Sequence, residues 1–362
     1  MKLLHCLNSP HIGGIERLVI ELAIEQKKQG VNVSIMLDKS DGQFFDYLKR
    51  QNIPVLYSGI KGGFDFNFST YKKLKNRFND FEIIHLHSFS PMRNIAAKFS
   101  KAKVVYTIHG LSKNVREENF LKYNIREFFK RFLLNKVDYF VANSNSTLKK
   151  SKKHYGLSHV KQSVIYNGIP IKEKNSKVNI NLSDELIIGL VTRFTPRKRI
   201  DRLLVAFNLF LKKGLKGRLI MVGDGINFKE IQGNVKDMNL DTFTDMIGYI
   251  TDVDQFYEKF HVVVQPSDNE GFGLVAVESY LHGLPIIVFE DSGGLKEVVE
   301  LLEPEHVVKS EEELAQRLEF YYLNRQNIEK NSKNRINYAK LNYNVNRMAV
   351  DYQKVYDTMI KL

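Results

Sequence analysis

The feature that most constrains the fold of this chain is a regular alternation of short apolar runs with amphipathic stretches. The runs are rich in β-branched and aromatic residues, and the stretches between them repeat their apolar residues at helical spacing. In the first half, the predicted strands are 3–7, 31–37, 54–57, 83–86, 104–108, 139–141 and 164–166, and the predicted helices include 15–28, 44–49, 71–78 and 95–99. This alternation predicts a parallel sheet that is covered by helices on both faces.

The alternation stops at Tyr166-Asn-Gly-Ile-Pro170 and then starts again. Turn residues and a hydrophilic segment over 172–181 indicate a linker. The elements predicted beyond it are 186–191, 203–211, 219–222, 228–238, 243–247, 253–260, 262–265, 274–281 and 285–289, with helices after Val308. A chain of 362 residues also exceeds one comfortable hydrophobic core. We therefore predict two doubly wound α/β domains, 1–168 and 169–344.

Composition narrows the class of the protein and its location. No apolar run approaches the roughly 20 residues that a membrane-spanning helix needs. The N-terminal stretch is polar again by Asn8, which is too short for a signal peptide. The one cysteine, Cys6, lies in the first predicted strand, so it excludes an internal disulfide, and we expect a small buried side chain. These features predict a cytoplasmic protein.

The charge of the chain is unevenly distributed. Residues 1–168 carry 28 lysines and arginines against 13 aspartates and glutamates, a net charge of +15, whereas residues 169–362 carry 26 against 28. A basic half of this kind is typical of a surface for anionic lipid or nucleic acid. The alternative is that the lysines are scattered over the surface and serve solubility.

The most informative local pattern follows the predicted strand at 262–265. A polar loop leads to Glu270 and then to Gly271-Phe272-Gly273, after which a helix opens that contains Glu278. Glycines at a strand-to-helix turn let backbone amides approach an anion, and carboxylate oxygens accept hydrogen bonds from hydroxyls. The pattern predicts a ligand with both phosphate and sugar hydroxyls. Alternatively, Glu278 is a solvated helix residue and Glu270 a capping residue.

Two cations follow the first predicted strand of the second half. Arg193 and Lys198 lie on one loop after the strand, an arrangement that suits a diphosphate because negative charge develops on its oxygens when it departs. The neighbouring Arg197, Arg199 and Arg202 fit equally well as surface charges.

Gly13-Gly14 follows the first predicted strand and opens the first helix. Glycine at this point permits a tight turn and lets backbone amides face a diphosphate. The full G-x-G-x-x-G pattern is missing, which disfavours a dehydrogenase. The alternative is an ordinary strand-to-helix turn.

Histidines lie at the ends of two predicted strands. His109 precedes Gly110 at the carboxyl edge of the sheet, where function concentrates, although a lone histidine is more often structural. In His85-Leu-His87, we expect the two rings to face opposite sides of the strand, which would argue against a two-histidine metal site, and His87 is nearer the strand end. We expect no metal requirement.

Residues 120–136 predict an aromatic and basic helix. Leu121, Ile125, Phe128 and Phe132 align on one face, with Lys122, Arg126 and Lys130 beside them. One interpretation is a core-facing stripe with solvated lysines. The other is an interfacial helix that lies on anionic lipid, in keeping with the basic half of the chain.

Together these patterns resemble the retaining glycosyltransferases of family 4, which have the GT-B fold. The segment from Glu270 to Glu278 resembles the E-x7-E motif of that family. The further motifs that carry the resemblance, in order along nearly the whole chain, are Gly13-Gly14-Ile-Glu16-Arg17, His85-Leu-His87, Thr107-Ile-His109-Gly110, Asn167-Gly168, Arg193 with Lys198, Val222-Gly-Asp-Gly225 and Ser292-Gly-Gly294. The resemblance implies two facing Rossmann-like domains with a deep interdomain cleft, and a C-terminal crossover helix over 345–362 that packs back on the first domain.

The resemblance also implies roles for the candidate residues. In a donor-binding domain over 169–344, Arg193 and Lys198 are the family's arginine and lysine five residues apart, Glu270 holds hydroxyls of the transferred sugar, and Glu278 accepts hydrogen bonds from the ribose. Arg199 stands where many members carry glycine. The remaining donor-binding positions are the amides of Phe272, Gly273 and Leu274, the base-framing Tyr249 and Ile250, and Gly13 with Gly14 at the distal phosphate.

For domain 1–168, the resemblance implies the acceptor side. It places Glu16 and His87 near the acceptor, and His109 near the donor sugar and the reaction centre. We count His109, Glu270, Arg193 and Lys198 as the candidate catalytic residues.

The function that the resemblance implies is retaining transfer of a hexose-type sugar. The donor is a nucleotide diphosphate sugar, with a UDP-sugar as the first expectation, and the acceptor is a hydroxyl of a lipid-linked or polysaccharide glycan of the bacterial cell surface. We expect no cofactor, no nucleic acid partner, and peripheral association with the anionic inner face of the membrane. The alternatives are a sugar-nucleotide epimerase of similar fold, a nucleic-acid-binding protein that uses the basic half, and a catalytically inactive sugar-nucleotide sensor.

Overall fold

The computed structural model describes residues 1–8, 13–38, 44–62, 67–111, 120–157, 159–171 and 184–361, without the side chains of 44–46 and 120–122. The chain divides into two compact units, which are described separately. Unit 1 comprises Met1–Ile171 with Tyr343–Leu362, and unit 2 comprises Lys172–Asn342. The predicted linker over 172–181 lies outside the described residues.

The sheet of unit 1 has seven strands, and all of its neighbouring pairs are parallel. The strands are β1 (Lys2–Leu7), β2 (Asn32–Leu37), β3 (Val55–Tyr57), β4 (Ile83–Leu86), β5 (Lys103–Ile108), β6 (Tyr139–Ala142) and β7 (Lys161–Val164). Their order is β3-β2-β1-β4-β5-β6-β7. The order reverses between β1 and β4, and doubly wound sheets bind ligands beyond the carboxyl ends of the strands at such a switch point.

Helices cover both faces of this sheet. They are α1 (Gly14–Lys28), α2 (Phe44–Arg50), α3 (Phe68–Phe78), α4 (Pro91–Lys98), α5 (Phe120–Leu134), α6 (Asn145–Tyr155) and the C-terminal helix (Val345–Ile360). Apolar residues of α1 and of the C-terminal helix form one core with the sheet, and residues of α3 and α4 form a second. In the C-terminal segment, the residues that recur at helical spacing are buried, which confirms a packed helix: Tyr343, Met348, Tyr352 and Tyr356.

Unit 2 repeats the architecture with a six-stranded parallel sheet. Its strands are β8 (Leu186–Val191), β9 (Gly217–Val222), β10 (Thr244–Gly248), β11 (Val262–Gln265), β12 (Ile286–Phe289) and β13 (Val307–Val308), in the order β10-β9-β8-β11-β12-β13. Its helices are α7 (Ile200–Lys212), α8 (Phe228–Asp237), α9 (Asp254–Tyr257), α10 (Leu274–Leu281), α11 (Gly294–Glu300), α12 (Glu311–Leu323), α13 (Gln326–Lys330) and α14 (Ser332–Asn342). The switch point lies between β8 and β11, and the predicted pair of doubly wound α/β sheets is confirmed.

One strand prediction is displaced. The sequence predicts a strand over 164–166, whereas β7 spans Lys161–Val164. β7 is the last strand of its sheet and is only partly buried. Because such an edge strand needs no continuous apolar run, its Lys-Gln-Ser start carries no strand signal.

Two compositional predictions can be compared with the structure. Cys6 is fully buried in β1, as expected, and burial raises the pKa of its thiol to about 12. Among the helices that the structure describes, none is long and apolar enough to cross a membrane.

Candidate functional site

The candidate site of unit 2 is built by the loops that follow β8 and β11, the strands on either side of the switch point. Lys198 ends a short 3-10 helix after β8, and Glu270 lies in the loop before α10. Lys198 Nζ lies 2.5 Å from Glu270 Oε1, so two residues that are 72 positions apart form an ion pair. The predicted cation and the predicted sugar-binding carboxylate therefore share one site.

Backbone hydrogen bonds hold these two loops together. The amide of Asp268 donates to the carbonyl of Arg197 at 3.0 Å, and Arg197 Nη2 donates to the carbonyl of Asn269 at 2.6 Å. Asn269 has a φ of 48°, a left-handed conformation that asparagine tolerates better than most residues. The amide of Glu270 donates to the carbonyl of Ser292 at 3.0 Å. Arg197 is thus a link between the loops rather than a surface charge alone.

The Val222-Gly-Asp-Gly225 motif supports the loop that carries Arg193. A Cβ at Gly223 would clash with the carbonyl of Thr192, and a Cβ at Gly225 would clash with the carbonyl of Phe194. The two glycines therefore let the loop after β9 lie directly against the loop after β8. Arg193 itself is exposed, and within the described part of the chain its guanidinium makes no hydrogen bond or ion pair.

Arg199 explains why glycine suits this loop. It has a φ of 45° and a ψ of 44°, between the 3-10 helix and α7. This left-handed conformation costs a non-glycine residue about 1 kcal/mol. The Arg199 guanidinium donates to both carboxylate oxygens of Asp201, at 3.1 and 2.9 Å. The loop therefore keeps the conformation that glycine adopts readily, although its residue is arginine.

The start of α10 is packed closely against α11. A Cβ at Gly273 would lie 2.5 Å from Leu295 Cδ1 and 3.0 Å from Leu295 Cα, so the position has no room for a side chain. The Phe272 side chain is buried, and Leu274 is the first residue of α10. Three candidate positions thus present their backbone at a helix N-terminus, which favours an anion.

Glu278 is held by a residue that the sequence analysis did not single out. Tyr257 donates a hydrogen bond from its hydroxyl to Glu278 Oε2 at 3.1 Å. The Tyr257 ring is buried and stacks on His282 with 4.7 Å between ring centroids. Burial and the Glu278 carboxylate raise the pKa of Tyr257 well above its usual value. Tyr257 therefore remains a donor and fixes the orientation of a partly exposed carboxylate.

Tyr249 and Ile250 follow the edge strand β10. Tyr249 is 65% exposed, whereas Ile250 is partly buried. Among the residues that the structure describes, no hydrogen bond, ion pair or ring contact joins Tyr249 to the other candidates. The structure thus gives an open aromatic surface, and its role at the nucleobase stays a prediction.

In unit 1, the two glycines of the first motif have different surroundings. Gly13 caps α1, and a Cβ there would clash with the carboxylate of Glu16. Gly14 is the first residue of α1 and is exposed, with nothing near the position of its missing Cβ. The contact at Gly13 involves only the movable end of the Glu16 side chain, and the N-terminus of α1 stays open at Gly14.

The histidines of unit 1 form a hydrogen-bonded chain beneath the switch point. Gln26 Oε1 lies 2.7 Å from His5 Nε2, His5 Nδ1 lies 2.8 Å from His87 Nε2, and His87 Nδ1 lies 3.2 Å from His109 Nε2. The register of the sheet makes this possible because His5 in β1 pairs with His85 in β4. The two candidate histidines, His87 and His109, are therefore in direct contact.

The expected opposition of His85 and His87 is wrong. Their rings lie on the same side, with 3.9 Å between centroids, because residues two apart in a strand point to the same face. His85 begins a second branch, in which Nδ1 lies 2.7 Å from the Tyr356 hydroxyl and Nε2 lies 2.7 Å from Thr107 Oγ1. His5, His85 and His87 offer ring nitrogens within 4.8 Å of one another, close enough to hold a metal ion. Ring orientation therefore does not exclude a metal site at these histidines, and a metal-independent reaction stays a prediction.

Burial lowers the pKa of all four clustered histidines below the ordinary value of imidazole. Burial lowers the pKa of His5 and of His109 from 6.5 to about 4. Burial and then the neighbouring histidines lower the pKa of His85 and His87 well below 6.5. Each ring therefore carries one proton, on one of its two nitrogens.

Arg93 in α4 is a further residue that the sequence analysis missed. Its side chain is fully buried and forms an ion pair with Asp38, at 2.9 Å from Nη1 to Oδ1. It also donates to the carbonyl of Leu7 at 3.0 Å, to Asn8 Oδ1 at 2.6 Å and to the carbonyl of Ser88 at 2.9 Å. Arg93 thus ties together the carboxyl ends of β1, β2 and β4. Arg93 precedes the predicted helix 95–99, so no local signal marked it.

The predicted aromatic and basic helix is α5, and its apolar stripe faces outward. Ile125 is 41% exposed, Phe128 70% and Phe132 56%. The core-facing interpretation is therefore wrong for these three side chains, while Leu121 and Lys122 lie outside the described side chains. Lys130 points inward, with Nζ 5.0 Å from the ring centroid of Tyr155, and burial lowers its pKa.

Comparisons with known proteins follow the same division. Residues 12–173 match Glycosyltransferase Family 4, and residues 171–341 match Glycosyl transferases group 1. The O-antigen biosynthesis glycosyltransferase WclY of Escherichia coli is 25% identical over 300 residues, 79% of each chain. A Campylobacter jejuni N-acetylgalactosamine-N,N'-diacetylbacillosaminyl-diphospho-undecaprenol 4-alpha-N-acetylgalactosaminyltransferase is 25% identical over 301 residues, 79% of this chain and 80% of the relative. The structure of Anabaena HepE in complex with UDP and glucose covers 100% of both chains at 20% identity, with a TM-score of 0.78.

Two doubly wound units, with site-building loops at the carboxyl ends of their strands, have the architecture of the GT-B fold class. The two family matches run end to end and cover residues 12–341. The chain therefore belongs to glycosyltransferase family 4, as its motifs predict.

Proposed function

We propose that the protein is a retaining glycosyltransferase that moves a hexose-type sugar from a UDP-sugar to a hydroxyl of a lipid-linked or polysaccharide acceptor in bacterial cell-surface glycan synthesis. The Lys198–Glu270 ion pair is the observation that carries this proposal. It places a cation that suits phosphate oxygens beside a carboxylate that suits sugar hydroxyls, at the carboxyl edge of a parallel sheet. Both groups are needed by a donor that joins a sugar to a diphosphate.

The names of similar proteins support the substrate classes. WclY is named for O-antigen biosynthesis, and the Campylobacter jejuni relative is named for a diphospho-undecaprenol acceptor. The HepE structure holds UDP and glucose. A nucleotide diphosphate sugar as donor and a surface glycan as acceptor agree with all three names.

The charges of the site suit a departing diphosphate. Arg193 has an exposed guanidinium, and Lys198 lies at the proposed sugar-binding carboxylate. Such groups accelerate the reaction because they stabilise charge that grows in the transition state. Glu270 is already engaged with Lys198, which makes it a poor covalent nucleophile. We therefore favour same-face attack, in which the donor phosphate helps to remove the acceptor proton.

The donor is tested by thermal unfolding with UDP-, GDP-, ADP- and TDP-sugars. A ligand that binds only the native state raises the unfolding temperature, and the rise grows with the logarithm of ligand concentration over Kd. We expect the largest rise with a UDP-sugar. A larger rise with another base contradicts the UDP assignment, and no rise with any donor contradicts nucleotide-sugar binding.

The reaction class is tested with the preferred donor and a lipid-linked acceptor. NMR spectroscopy of the product reports the anomeric configuration, which we expect to be that of the donor. An inverted product contradicts the retaining mechanism. Isomerised sugar nucleotide in the absence of acceptor indicates the epimerase instead.

We also propose that turnover needs no metal ion. The diphosphate charge is met by Arg193 and Lys198 on the loop after β8. Activity in a chelator should therefore equal activity in added Mg²⁺ or Mn²⁺. A loss in the chelator that either ion restores contradicts this proposal.

Peripheral membrane association is proposed for α5. Ile125, Phe128 and Phe132 form an exposed apolar stripe on the half of the chain with the net charge of +15. An amphipathic helix of this kind lies in a lipid interface, and each nearby cation adds on the order of 1 kcal/mol. Because Lys130 points inward and Arg126 Nε lies 3.7 Å from Glu127 Oε1, Arg131 is the exposed cation among the described residues of α5.

The measurement is cosedimentation with anionic and with neutral vesicles, at low and high salt. We expect binding to anionic vesicles only, loss at high salt, and weaker binding when Phe128 and Phe132 are changed to Ala. The matched control is Phe68→Ala, an exposed aromatic on α3. Equal binding to both vesicle types, or to neither, contradicts the proposal, and donor affinity should survive every variant.

A further inference from the structure

The chain of histidines in unit 1 ends at an unsatisfied atom. His109 Nδ1 is buried, and within the described part of the chain it has no hydrogen-bond partner. The other end of the chain is Gln26, which is 1% exposed and faces His5 from α1. Buried polar atoms without a partner are rare in native proteins, so each one requires a physical explanation.

The hydrogen bonds of the chain are directional. Gln26 Oε1 only accepts, so His5 carries its proton on Nε2 and donates it to Gln26. A neutral His5 then has a lone pair on Nδ1 and accepts from His87 Nε2. By the same reasoning, His87 accepts on Nδ1 from His109 Nε2. All three rings are therefore protonated on Nε2, and His109 Nδ1 is a lone pair.

The polarity of the chain depends on the orientation of the Gln26 amide. If that amide were reversed, it would donate to His5, every ring would be protonated on Nδ1, and His109 would hold a buried N–H without an acceptor. In the orientation that the structure has, the Gln26 amide nitrogen is itself a buried donor without a partner within the described part of the chain. The polarity therefore follows from the Gln26 Oε1 contact with His5, and measurement of the His109 tautomer decides it.

We propose that Gln26, His5 and His87 are positioning residues that fix the tautomer of His109, so that its Nδ1 is held as a hydrogen-bond acceptor for a hydroxyl of the bound sugar. The proposal rests on the proposed function for the identity of that hydroxyl. His109 is the group that contacts the substrate, and the other three act through it.

The second branch packs against the chain. His85 packs on His87 with 3.9 Å between ring centroids, and its two nitrogens are engaged by Tyr356 and Thr107. Thr107 Oγ1 is in turn 3.1 Å from the Tyr352 hydroxyl. Every ring nitrogen of His5, His85 and His87 is used in these bonds, so a metal ion at the three histidines would have to break the chain.

The direct test is NMR spectroscopy of the full chain with ¹⁵N-labelled histidine. Two-bond ¹⁵N–¹H correlations distinguish a protonated ring nitrogen from a bare one, and single histidine-to-glutamine variants assign the signals of the 10 histidines. We expect the Nε2-protonated form for His5, His87 and His109 at neutral pH. The Nδ1-protonated form of His109 overturns the proposal, and this measurement requires no activity.

A matched pair of variants separates positioning from simple loss of packing. Gln26→Leu removes the acceptor that sets the polarity, so both tautomers of His109 should become populated. Tyr352→Phe removes a buried hydroxyl from the same cluster but leaves the four-residue chain intact. It should keep the wild-type tautomer. An unchanged His109 in folded Gln26→Leu protein overturns the proposal.

Kinetics supply a second readout. In Gln26→Leu, kcat should fall by roughly tenfold, the value of one hydrogen bond lost in the transition state, while the affinity for UDP stays within twofold. Tyr352→Phe should keep wild-type kcat. Loss of UDP affinity with unchanged kcat overturns the positioning role. One zinc ion bound per chain, and lost in His85→Gln, also overturns it. If no transferase activity is found at all, the proposed function fails while the tautomer measurement still decides this inference.

Discussion

The two units place polar groups at the carboxyl edge of the same kind of sheet, yet they do so in opposite ways. In unit 2, partly exposed charged side chains are held by loops, as in the Lys198–Glu270 pair. In unit 1, the corresponding region is a buried and uncharged chain of imidazoles beside one buried ion pair, Arg93–Asp38. The edge in unit 2 is therefore suited to bind charge, and the edge in unit 1 to present single hydrogen-bonding atoms in fixed positions.

The difference has a consequence for mutagenesis. A charge on a loop is removed at little expense to folding, because water replaces its partner. A buried charge or imidazole is removed at a high expense, because its partner is left unsatisfied. Variants of unit 2 should therefore lose function while they keep their stability, and variants of unit 1 should lose stability first.

The largest effect is expected for Arg93→Leu. The change leaves Asp38 without its cation and removes hydrogen bonds to Leu7, Asn8 and Ser88. Breaking a buried ion pair in this way costs about 3–5 kcal/mol of the free energy of unfolding. Urea unfolding measures the loss.

The matched control for Arg93 is Arg77→Leu. Arg77 is an exposed arginine of unit 1 that donates to the carbonyl of Tyr57. Its removal should change the free energy of unfolding by less than about 0.5 kcal/mol. Equal losses of the free energy of unfolding in the two variants would mean that the buried Arg93–Asp38 ion pair stabilises unit 1 no more than an exposed arginine does.

Next in size is the effect of Lys198→Ala on turnover. The cation stabilises charge that grows as the diphosphate departs, so kcat should fall by about 100-fold, with a smaller change in donor affinity. Lys213→Ala is the control, because Lys213 forms an ion pair of the same 2.5 Å length with Glu319 in the same unit. Steady-state kinetics should show wild-type kcat for that control, and a wild-type kcat for Lys198→Ala removes Lys198 from the site.

The sequence predicts most of unit 2 because its signals are local. Glycine at 273 is required by the closeness of Leu295, and an arginine and a lysine on one loop can be read directly from the chain. The sequence analysis also anticipates that Glu270 and Lys198 share a site, but only through the family resemblance. No local sequence pattern indicates the role of Tyr257, because its hydrogen bond to Glu278 joins residues 21 positions apart.

In unit 1, the sequence indicates the elements but not the contacts between them. His5, Gln26 and His87 come from different elements, and only the strand order and register bring their side chains together. The error at His85 and His87 had a different source, since strand periodicity alone places residues two apart on one face. The outward face of α5 was undecided for a related reason, because helical spacing defines a stripe without saying what covers it.

A smaller effect is expected for Glu278→Ala. Loss of two hydrogen bonds from the ribose to a charged acceptor should weaken donor binding by about 1–3 kcal/mol, and isothermal titration with UDP measures it. Tyr257→Phe keeps the carboxylate and removes only its hydrogen bond, so its effect should be smaller. Glu270→Ala should lower turnover more than nucleotide affinity. Unchanged UDP affinity in Glu278→Ala contradicts the ribose assignment.

The smallest expected effect is the change in the free energy of unfolding per pH unit. It can be compared directly between the two units. Burial lowers the pKa of His5 and His109 in unit 1 from 6.5 to about 4. In unit 2, burial would raise the pKa of Glu303, but a hydrogen bond with His306 and the charges of His306 and Arg335 lower it from 4.5 to about 2. In both cases the unfolded chain binds more protons than the folded chain, so the free energy of unfolding falls as the pH falls.

The pH windows of the two effects differ, which makes them separable. The histidine contribution is lost between about pH 6.5 and 4, and the Glu303 contribution between about pH 4.5 and 2, each with a slope of at most about 1.4 kcal/mol per pH unit and group. Urea unfolding between pH 7 and 5 should therefore show a slope that His5→Asn reduces. The exposed control His159→Asn should leave the slope unchanged. If wild-type stability is flat over that range, the histidines of unit 1 are not held neutral by burial, and the contrast between a charged and an uncharged sheet edge is lost.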